Sequence, residues 1–416
     1  MSDSLEPEEV PQKRILFVDD EPAVLDGLRN LLRKQRRTWK MTFTLGGKAA
    51  LEALEKETFD VVVSDMRMPG MDGAELLGRV KELYPAVARV VLSGHADQEM
   101  VTRALPVSQQ YLSKPCDGEV LRGVIERVCA LQALVAGTAV REIVGRLDKL
   151  PSIPETYWRL TRAIENPAAR TDEISRIVQR DPAMSAKVLQ LVNSAYFGLN
   201  RPLSSIDQAI SYLGIDLLKG LALTLNVFAA HDAGTRSGLS LEELQRRSIL
   251  TARIAKQMVS DPKDGEAAFS AGLLHEIGAI ILGLAATERC AEVIGVAAGS
   301  GRPTHEVEQE LLGVTHAQIG GYLLGVWGLP LPIVEAVAYH HVLPPIPRDK
   351  RDTAAVIHVA SALATCIIAE QSGHPVAEQL DQVGLEAAGV MGNLPRWREL
   401  AAREADKLAE ANERSA

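Results

Sequence analysis

The sequence predicts two folds in series: an α/β domain with a doubly wound, five-stranded parallel sheet, and then an all-helical domain. Three observations lead to this prediction. The chain has 416 residues, too many for one compact core. Five short runs rich in β-branched residues alternate with helical patterns in its N-terminal part. Beyond Pro154, helical patterns follow one another without a convincing strand.

Each of the five N-terminal repeats joins a strand to a helix. The predicted strands are RILFV, MTFTL, DVVVS, RVVLS and QYLS. The helices that follow them are predicted at residues 23–33, 48–57, 74–83, 98–105 and from 118 onward. The fifth helical stripe continues to the LPSIP segment at 150–154, so it predicts a connector. The stripe at 118–150 also allows a homodimer, although intramolecular packing is its more common use.

These patterns divide the chain into five segments. They are a flexible acidic leader at 1–12, the α/β domain at 13–132, a helical connector at 133–150, the all-helical domain at 151–370 and a C-terminal helical extension at 371–416. The closing stretch, 394–410, fits either a charged amphipathic helix or a frayed end.

The composition of the chain bears on whether it binds DNA or a membrane and on the cell compartment that we expect for it. The net charge of -9 does not favour DNA, because counterion release needs clustered Lys and Arg, and the basic cluster around Trp39 reads as a solvated helix end. Four scattered cysteines, without a C-x-x-C pair or a preceding signal peptide, favour a reducing cytoplasm. The apolar run at 271–286 is too short to cross a bilayer and is broken by His275 and Glu276, so we expect no membrane segment.

Polar side chains stand at the ends of the predicted strands. Asp19 and Asp20 end the first strand and Asp65 the third, and the carboxyl ends of parallel strands share one edge of a sheet. Three clustered carboxylates are costly unless a dication binds, and an all-oxygen site suits Mg²⁺. Ser93 and Lys114 end the fourth and fifth strands and offer a hydroxyl and a positive charge to a phosphoryl group.

The motifs FVDDE, SDMRMPGMDG, LSGHA and YLSKP occur in this order, each at a strand end. In these motifs, residues 13–131 resemble the receiver domain of two-component response regulators, which has a flavodoxin-like fold. The resemblance implies a sensor histidine kinase as partner. It also implies a role for each matching residue, as follows: Asp65 accepts the phosphoryl group, Asp19, Asp20, Asp65 and the Arg67 backbone carbonyl hold Mg²⁺, Ser93 and Lys114 hold the phosphoryl group, and Tyr111 is the switch residue. The Lys114–Pro115 bond is a candidate cis peptide.

Histidines mark the second half. Five of the nine fall where a helical metal site could use them or their neighbours: His275, His316, His340, His341 and His358. The pair His275-Glu276 lies in the apolar run AGLLHEIGAIIL, where polar side chains need partners. One helical histidine is usually structural, but several in separate helices of one domain point to a shared metal site.

The segments LPSIP, RDPAMSAKVLQLVNSAYFG, SSIDQAISYLG, LLHEIGAIIL and HAQIGGYLLGVWGLPLPIVEAVAYHH resemble the HDOD domain over about residues 144–368. This domain is a relative of the HD and HD-GYP phosphohydrolases. By that resemblance, a working hydrolase needs an earlier His, a His-Asp pair and a later Asp to hold its metals. Here these positions fall at Ser248, His275-Glu276 and Ser361, and Ala279 replaces a lysine of the HD-GYP members.

The lost ligands make a dinuclear centre unfavourable. We therefore expect a non-catalytic HDOD output module, without a transition metal, that binds a protein or a nucleotide under the control of Asp65 phosphorylation. The alternative is a metal-dependent phosphohydrolase acting on cyclic dinucleotides, with a mononuclear site of His275, Glu276, His316 and His340 or His341.

Overall fold

The computed structural model forms two compact units, Met1–Ala133 and Leu134–Ala416. The described residues are 12–93, 103, 107–114, 116–134, 141, 144–145, 150–152, 159–160, 163, 170–193, 199, 201–214, 228–230, 238–343, 352–374 and 376–413. The predicted leader, most of the connector, the Lys114–Pro115 peptide and most of the helices predicted at 98–105, 155–164 and 216–230 lie outside these residues.

The first unit is built on the predicted five-stranded parallel sheet. Its strands are β1 (Lys13–Asp19), β2 (Trp39–Leu45), β3 (Val61–Ser64), β4 (Ala88–Ser93) and β5 (Gln110–Ser113). They lie in the order β2-β1-β3-β4-β5, and every neighbouring pair is parallel. The winding therefore reverses between β1 and β3, where ligands bind in sheets of this kind. The predicted fold class is confirmed.

Helices cover this sheet, and local signals mark where they begin. They are α1 (Pro22–Leu31), α2 (Gly46–Lys56), α3 (Gly73–Leu83) and α4 (Gly118–Leu134). Pro22 occupies the first turn of α1, where its missing N–H costs nothing. The Asp72 carboxylate caps α3 by accepting a hydrogen bond from the Glu75 N–H. The basic cluster forms an exposed 3₁₀ turn, Arg33–Arg37, as expected of a solvated helix end.

The second unit is mostly helical. Its helices are α5 (Thr171–Val178), α6 (Pro182–Val192), α7 (Ile206–Leu213), α8 (Leu241–Met258), α9 (Pro262–Leu274), α10 (Ile277–Ala285), α11 (Thr287–Ser300), α12 (Thr304–Leu312), α13 (His316–Val326), α14 (Leu331–Ala338), α15 (Asp352–Gln371), α16 (Gln382–Ala388) and α17 (Leu394–Glu413). One strand pair was not predicted: β6 (Leu150–Ser152) and β7 (Phe228–Ala230) form a short parallel ladder. The closing stretch is helical, as α17.

Three other details of this unit differ from the prediction. The helix expected at 265–284 is interrupted at His275-Glu276, because the His275 ring caps α9 by donating to the Gly272 carbonyl. Helix α14 ends at Ala338, so His340 and His341 follow it rather than end it. Helix α11 was missed, since its glycines weaken the helical pattern.

Among the residues that the structure describes, two helical stretches are long and apolar enough to cross a bilayer, Pro262–Ala285 and Thr353–Gln371. The fold buries 83% and 61% of their apolar windows. Core helices of a globular domain have the same length and composition, so these stretches are weak evidence for a membrane span.

Close helix contact brings α10 against α13 beside the histidines. A Cβ placed on Gly278 would lie 1.8 Å from the His316 carbonyl oxygen, so only glycine fits there. Helices α13 and α14 are also close, since a Cβ on Gly321 would lie 2.6 Å from the Ala338 Cβ. These contacts hold the start of α10, the first turns of α13 and the end of α14 near one another.

Candidate functional site

The acidic residues of the first unit meet at the predicted edge of the sheet. Asp19 is the last residue of β1, and Asp65 follows β3, which pairs directly with β1. The Lys114 Nζ donates to Asp19 Oδ2 at 2.7 Å and to Asp65 Oδ1 at 2.5 Å. The other Asp65 oxygen accepts a hydrogen bond from the Arg67 N–H at 2.6 Å. The lysine therefore bridges the two carboxylates.

Burial and neighbouring charges shift the pKa values of Asp65 and Lys114 in opposite directions. Burial raises the pKa of the Asp65 carboxyl above its usual value, although Lys114 and the Arg67 N–H oppose this. Burial alone would lower the pKa of Lys114, but its hydrogen bonds to Asp19 and Asp65 outweigh burial and raise it. The lysine is therefore held in its charged form beside Asp65.

The donor set of this edge fits a hard dication. Asp19 and Asp65 are buried, and Asp20 lines an open depression with Met66 and Arg67, the two residues after Asp65. Lys114 pairs with both Asp19 and Asp65, so two buried carboxylates share one positive charge. Oxygen ligands with room for water match the preference of Mg²⁺. Asp19, Asp20, Asp65 and the Arg67 carbonyl are the groups that could hold it.

Ser93 and Tyr111 lie on the neighbouring strands β4 and β5, and both side chains are buried. Tyr111 pairs in register with Val91, two residues before Ser93. The Lys114 N–H donates to the Ser93 carbonyl at 2.7 Å, which ties the ends of β4 and β5 together. The predicted phosphoryl-binding and switch residues thus occupy one edge of the sheet.

Gly73 is a residue of this site whose role the motif alone did not reveal. A Cβ at this position would lie 2.0 Å from the Asp65 carbonyl oxygen. The backbone at the start of α3 is therefore in direct contact with the backbone of Asp65, with no room for a side chain between them. Any side chain at Gly73 would displace Asp65.

In the second unit, five predicted residues form one group, here called the histidine cluster: His275, Glu276, His316, His340 and His341. Donor atoms of His316, His340 and His341 lie within 4.8 Å of one another, as do those of His275, Glu276 and His340. The Nε2 atoms of His316 and His341 are 2.9 Å apart. The cluster is almost completely buried.

Hydrogen bonds on the far side of the rings orient three of these histidines. His275 Nδ1–H donates to the Gly272 carbonyl at 2.7 Å, and His340 Nδ1–H donates to the Val337 carbonyl at 2.8 Å. Both carbonyls lie in the last turn of a helix, where they lack helical partners. His316 Nδ1–H donates to the Glu308 carboxylate at 2.7 Å. In each ring Nε2 is therefore the atom that faces the cluster, as in metal-binding histidines.

Two departures from the HD pattern can now be located. The Ser361 hydroxyl lies 3.1 Å from His275 Nε2, and it must donate there because Nδ1 carries the ring proton. Ser248 is fully buried on α8, and its hydroxyl has no hydrogen-bond partner among the described residues. The two positions that the resemblance to HD hydrolases pairs with metal ligands thus carry buried hydroxyl groups.

His358 does not join the cluster. Its Nδ1–H donates to the His340 carbonyl at 2.9 Å, and its Nε2 accepts from the Asp381 N–H at 2.8 Å. Both ring nitrogens are therefore used by the backbone. His358 supports the turn that carries His340.

The cluster contains buried charges of both signs. Burial raises the pKa of Glu276, but Arg247 and His316 outweigh burial and hold it well below its usual range. Burial lowers the pKa of His316, but Glu308 and Glu276 outweigh it and raise this pKa to about 9. Burial lowers the pKa of His275 to about 4 and places those of His340 and His341 well below the usual value. His316 is thus the charged imidazole of the cluster.

Three residues that contact the cluster were missed from the sequence. Arg247 Nη2 lies 3.2 Å from Glu276 Oε1, and the His305 ring stacks on that of His341 at 4.2 Å. Glu308 accepts from both the ring and the backbone N–H of His316. Arg247 could have been found from the sequence, because it is the neighbour of Ser248, the position paired with the earlier histidine ligand of HD hydrolases. Nothing in the local sequence pattern distinguishes Glu308.

A cavity of about 640 Å³ opens onto the cluster. Its polar wall includes Arg247, Glu276 and His340, and its apolar wall includes Leu244 and Leu282. This mixture is typical of small-ligand sites. The cluster offers a nitrogen-rich set of ligand atoms that suits one transition metal.

Comparison with known proteins matches this architecture. Residues 15–126 match the response regulator receiver domain, and residues 150–343 match the HDOD domain. The chain belongs to the response regulators that carry an N-terminal receiver domain and a C-terminal HDOD domain.

Individual relatives share parts of this arrangement. An uncharacterized protein of Treponema pallidum (strain Nichols) is 27% identical over 248 residues, which are 59% of this chain and 48% of that protein. The uncharacterized transcriptional regulatory protein YesN of Bacillus subtilis (strain 168) is 33% identical over 28% of this chain and 32% of that protein. The chain therefore spans half or less of the length of these curated relatives. The MmoQ response regulator from Methylococcus capsulatus str. Bath is similar, with a TM-score of 0.48 and 21% identity, over 60% of this chain and 98% of that one.

Proposed function

We propose that a sensor histidine kinase phosphorylates this response regulator on Asp65, and that the phosphorylation state controls the HDOD module, which binds a protein or nucleotide partner. The observation that carries the proposal is the lysine bridge: Lys114 Nζ contacts both Asp19 and Asp65. A positive charge held beside a carboxylate at the switch point of a doubly wound sheet suits phosphoryl transfer.

In this proposal each of several residues of the first unit has its own role in phosphoryl transfer. An Asp65 carboxylate oxygen attacks the phosphorus, and the bond to the kinase histidine breaks. Lys114 moves from its bridge to a phosphoryl oxygen, and Ser93 donates its hydroxyl to another. Asp19, Asp20, Asp65 and the Arg67 carbonyl would hold Mg²⁺, which would neutralise part of the developing negative charge.

Treatment of the full chain with acetyl phosphate and Mg²⁺ tests the acceptor. Intact-mass spectrometry should show one added phosphoryl group in the wild type and none in Asp65→Asn. Asp26→Asn is the matched control, because Asp26 is exposed on α1, where it pairs with Arg29. Equal labelling of Asp65→Asn and the control would contradict the assignment.

The control of the HDOD module requires that the two phosphorylation states differ by a few kcal/mol in the contacts they favour. Tyr111 is the proposed switch, since it is buried beside the Ser93 strand. Hydrogen exchange of the full chain, with and without a phosphoryl mimic at Asp65, should differ in residues of the second unit. Identical profiles would refute this control, and a normal response of Tyr111→Ala would remove Tyr111 from it.

A second candidate function for the HDOD half is the binding of one transition metal, with metal-activated hydrolysis of a phosphoester as the activity. The observation that favours it is the His340 Nε2 atom, which is buried and has no hydrogen-bond partner among the described residues. Elemental analysis of the purified chain after reconstitution should then find about one metal ion per chain. No bound metal in wild type, with His340→Ala unchanged, would dispose of this candidate.

A further inference from the structure

We infer that Arg247 is a resident cation that competes with a divalent metal ion for Glu276, and so sets how readily the histidine cluster takes up metal. The inference rests on the metal site proposed above as the second candidate. It concerns the regulation of that site by a residue of the chain itself.

The first argument is the position of the guanidinium group. Arg247 Nη2 lies 3.2 Å from Glu276 Oε1, while the other oxygen of the same carboxylate lies 3.4 Å from His316 Nε2. Glu276 is the only carboxylate among the five residues of the cluster and belongs to the set with His275 and His340. Oε1, the oxygen that Arg247 contacts, also lies 3.8 Å from His275 Nε2, so a metal ion held by His275 and Glu276 would compete with Arg247 for it.

The second argument is charge. Glu276 and Glu308 are two buried carboxylates at the cluster. Arg247, whose Nη2 lies 3.2 Å from Glu276 Oε1, is the permanent positive charge that balances Glu276. A dication that bound to Glu276 beside Arg247 would leave uncompensated positive charge in a buried site, which is costly. Metal uptake is therefore favourable only when the arginine withdraws.

The third argument is that Arg247 is free to withdraw. Its side chain keeps 25% of its surface exposed and lines the cavity, unlike Glu276, whose side chain is 7% exposed. Its Nε atom is buried without a hydrogen-bond partner among the described residues, so the guanidinium is incompletely satisfied. Movement of this side chain toward the cavity would bring that N–H to water.

Titration of the full chain with Co²⁺ in excess Mg²⁺ tests the inference, because Mg²⁺ fills the oxygen site of the first unit and visible absorption reports nitrogen coordination of Co²⁺. Arg247→Met should bind Co²⁺ more tightly than wild type by about tenfold or more. Arg246→Met is the matched control, since it removes the same charge from the next residue, whose side chain contacts Gln371 instead. Its affinity should equal that of wild type.

The outcomes separate the two proposals. Equal affinities of wild type and Arg247→Met would overturn the competition and leave the metal site intact. Weaker binding by Arg247→Met would overturn it too, because Arg247 would then position Glu276 for the metal. No Co²⁺ spectrum in any variant would overturn both the metal site and the inference. Arg247→Lys, which keeps a positive charge at this position, should give an intermediate affinity and covers the case in which Arg247→Met does not fold.

Discussion

Replacement of Gly278 by alanine should unfold the second unit more easily, because it forces α10 away from α13. The added Cβ would lie 1.8 Å from the His316 carbonyl oxygen and 2.8 Å from the Gly320 nitrogen. Both are backbone atoms, so no side chain can rotate to make room. The helices must separate by on the order of 1.5 Å to restore an ordinary contact.

Overpacking of this kind costs about 1–3 kcal/mol. The better helix propensity of alanine offsets about 0.5–1 kcal/mol of this cost, so we expect a net loss of stability of about 1 kcal/mol. Gly295→Ala is the matched control: Gly295 lies inside α11 with nothing within 4 Å of a new Cβ. This same substitution should therefore stabilise the unit by about 0.5–1 kcal/mol.

Urea unfolding of the full chain, followed by circular dichroism of the helices, measures both variants. The midpoints should move in opposite directions, with Gly278→Ala lower and Gly295→Ala higher than wild type. An unchanged or raised midpoint for Gly278→Ala would show that α10 and α13 are not in backbone contact. The positioning of Glu276 beside His316 would then need another explanation.

Three further predictions concern the two sites. Raising the pH from about 6.5 through about 9 should destabilise the second unit by on the order of 3 kcal/mol, because His316, with its pKa raised to about 9, contributes stability only while charged. The variant His316→Gln should flatten the pH dependence of the urea midpoint. An unchanged pH dependence in this variant would contradict the assignment of the charge to His316. Ser361→Asp adds a carboxylate beside His275 Nε2 and should raise the affinity for Co²⁺ about tenfold or more, whereas Ser361→Ala should not. Equal Co²⁺ affinities of Ser361→Asp and wild type would count against a role of His275 in metal binding. Lys114→Met should still bind Mg²⁺ but should slow Asp65 labelling by acetyl phosphate about 100-fold, and wild-type kinetics would exclude Lys114 from the transfer.

Sequence pattern alone determined much of the first unit. Period-two and period-3.6 patterns predicted its strands and, within the described residues, its helices to within a few residues, and the parallel topology followed from their alternation. The grouping of Asp19, Asp65 and Lys114 also followed, because the carboxyl ends of adjacent parallel strands meet at one edge. In such a sheet, residues at the carboxyl ends of neighbouring strands lie close in space, so their positions in the sequence predict their contacts.

In the helical unit, sequence identified the donors but not their partners. It predicted that His275, Glu276, His316, His340 and His341 share a site, and the fold brings them together. Tertiary structure alone decided which ring nitrogen faces the cluster, that Ser361 caps His275 and that His358 is taken up by backbone groups. Helix packing decides these contacts between residues distant in sequence, such as the 86 positions from His275 to Ser361, and no local period encodes them.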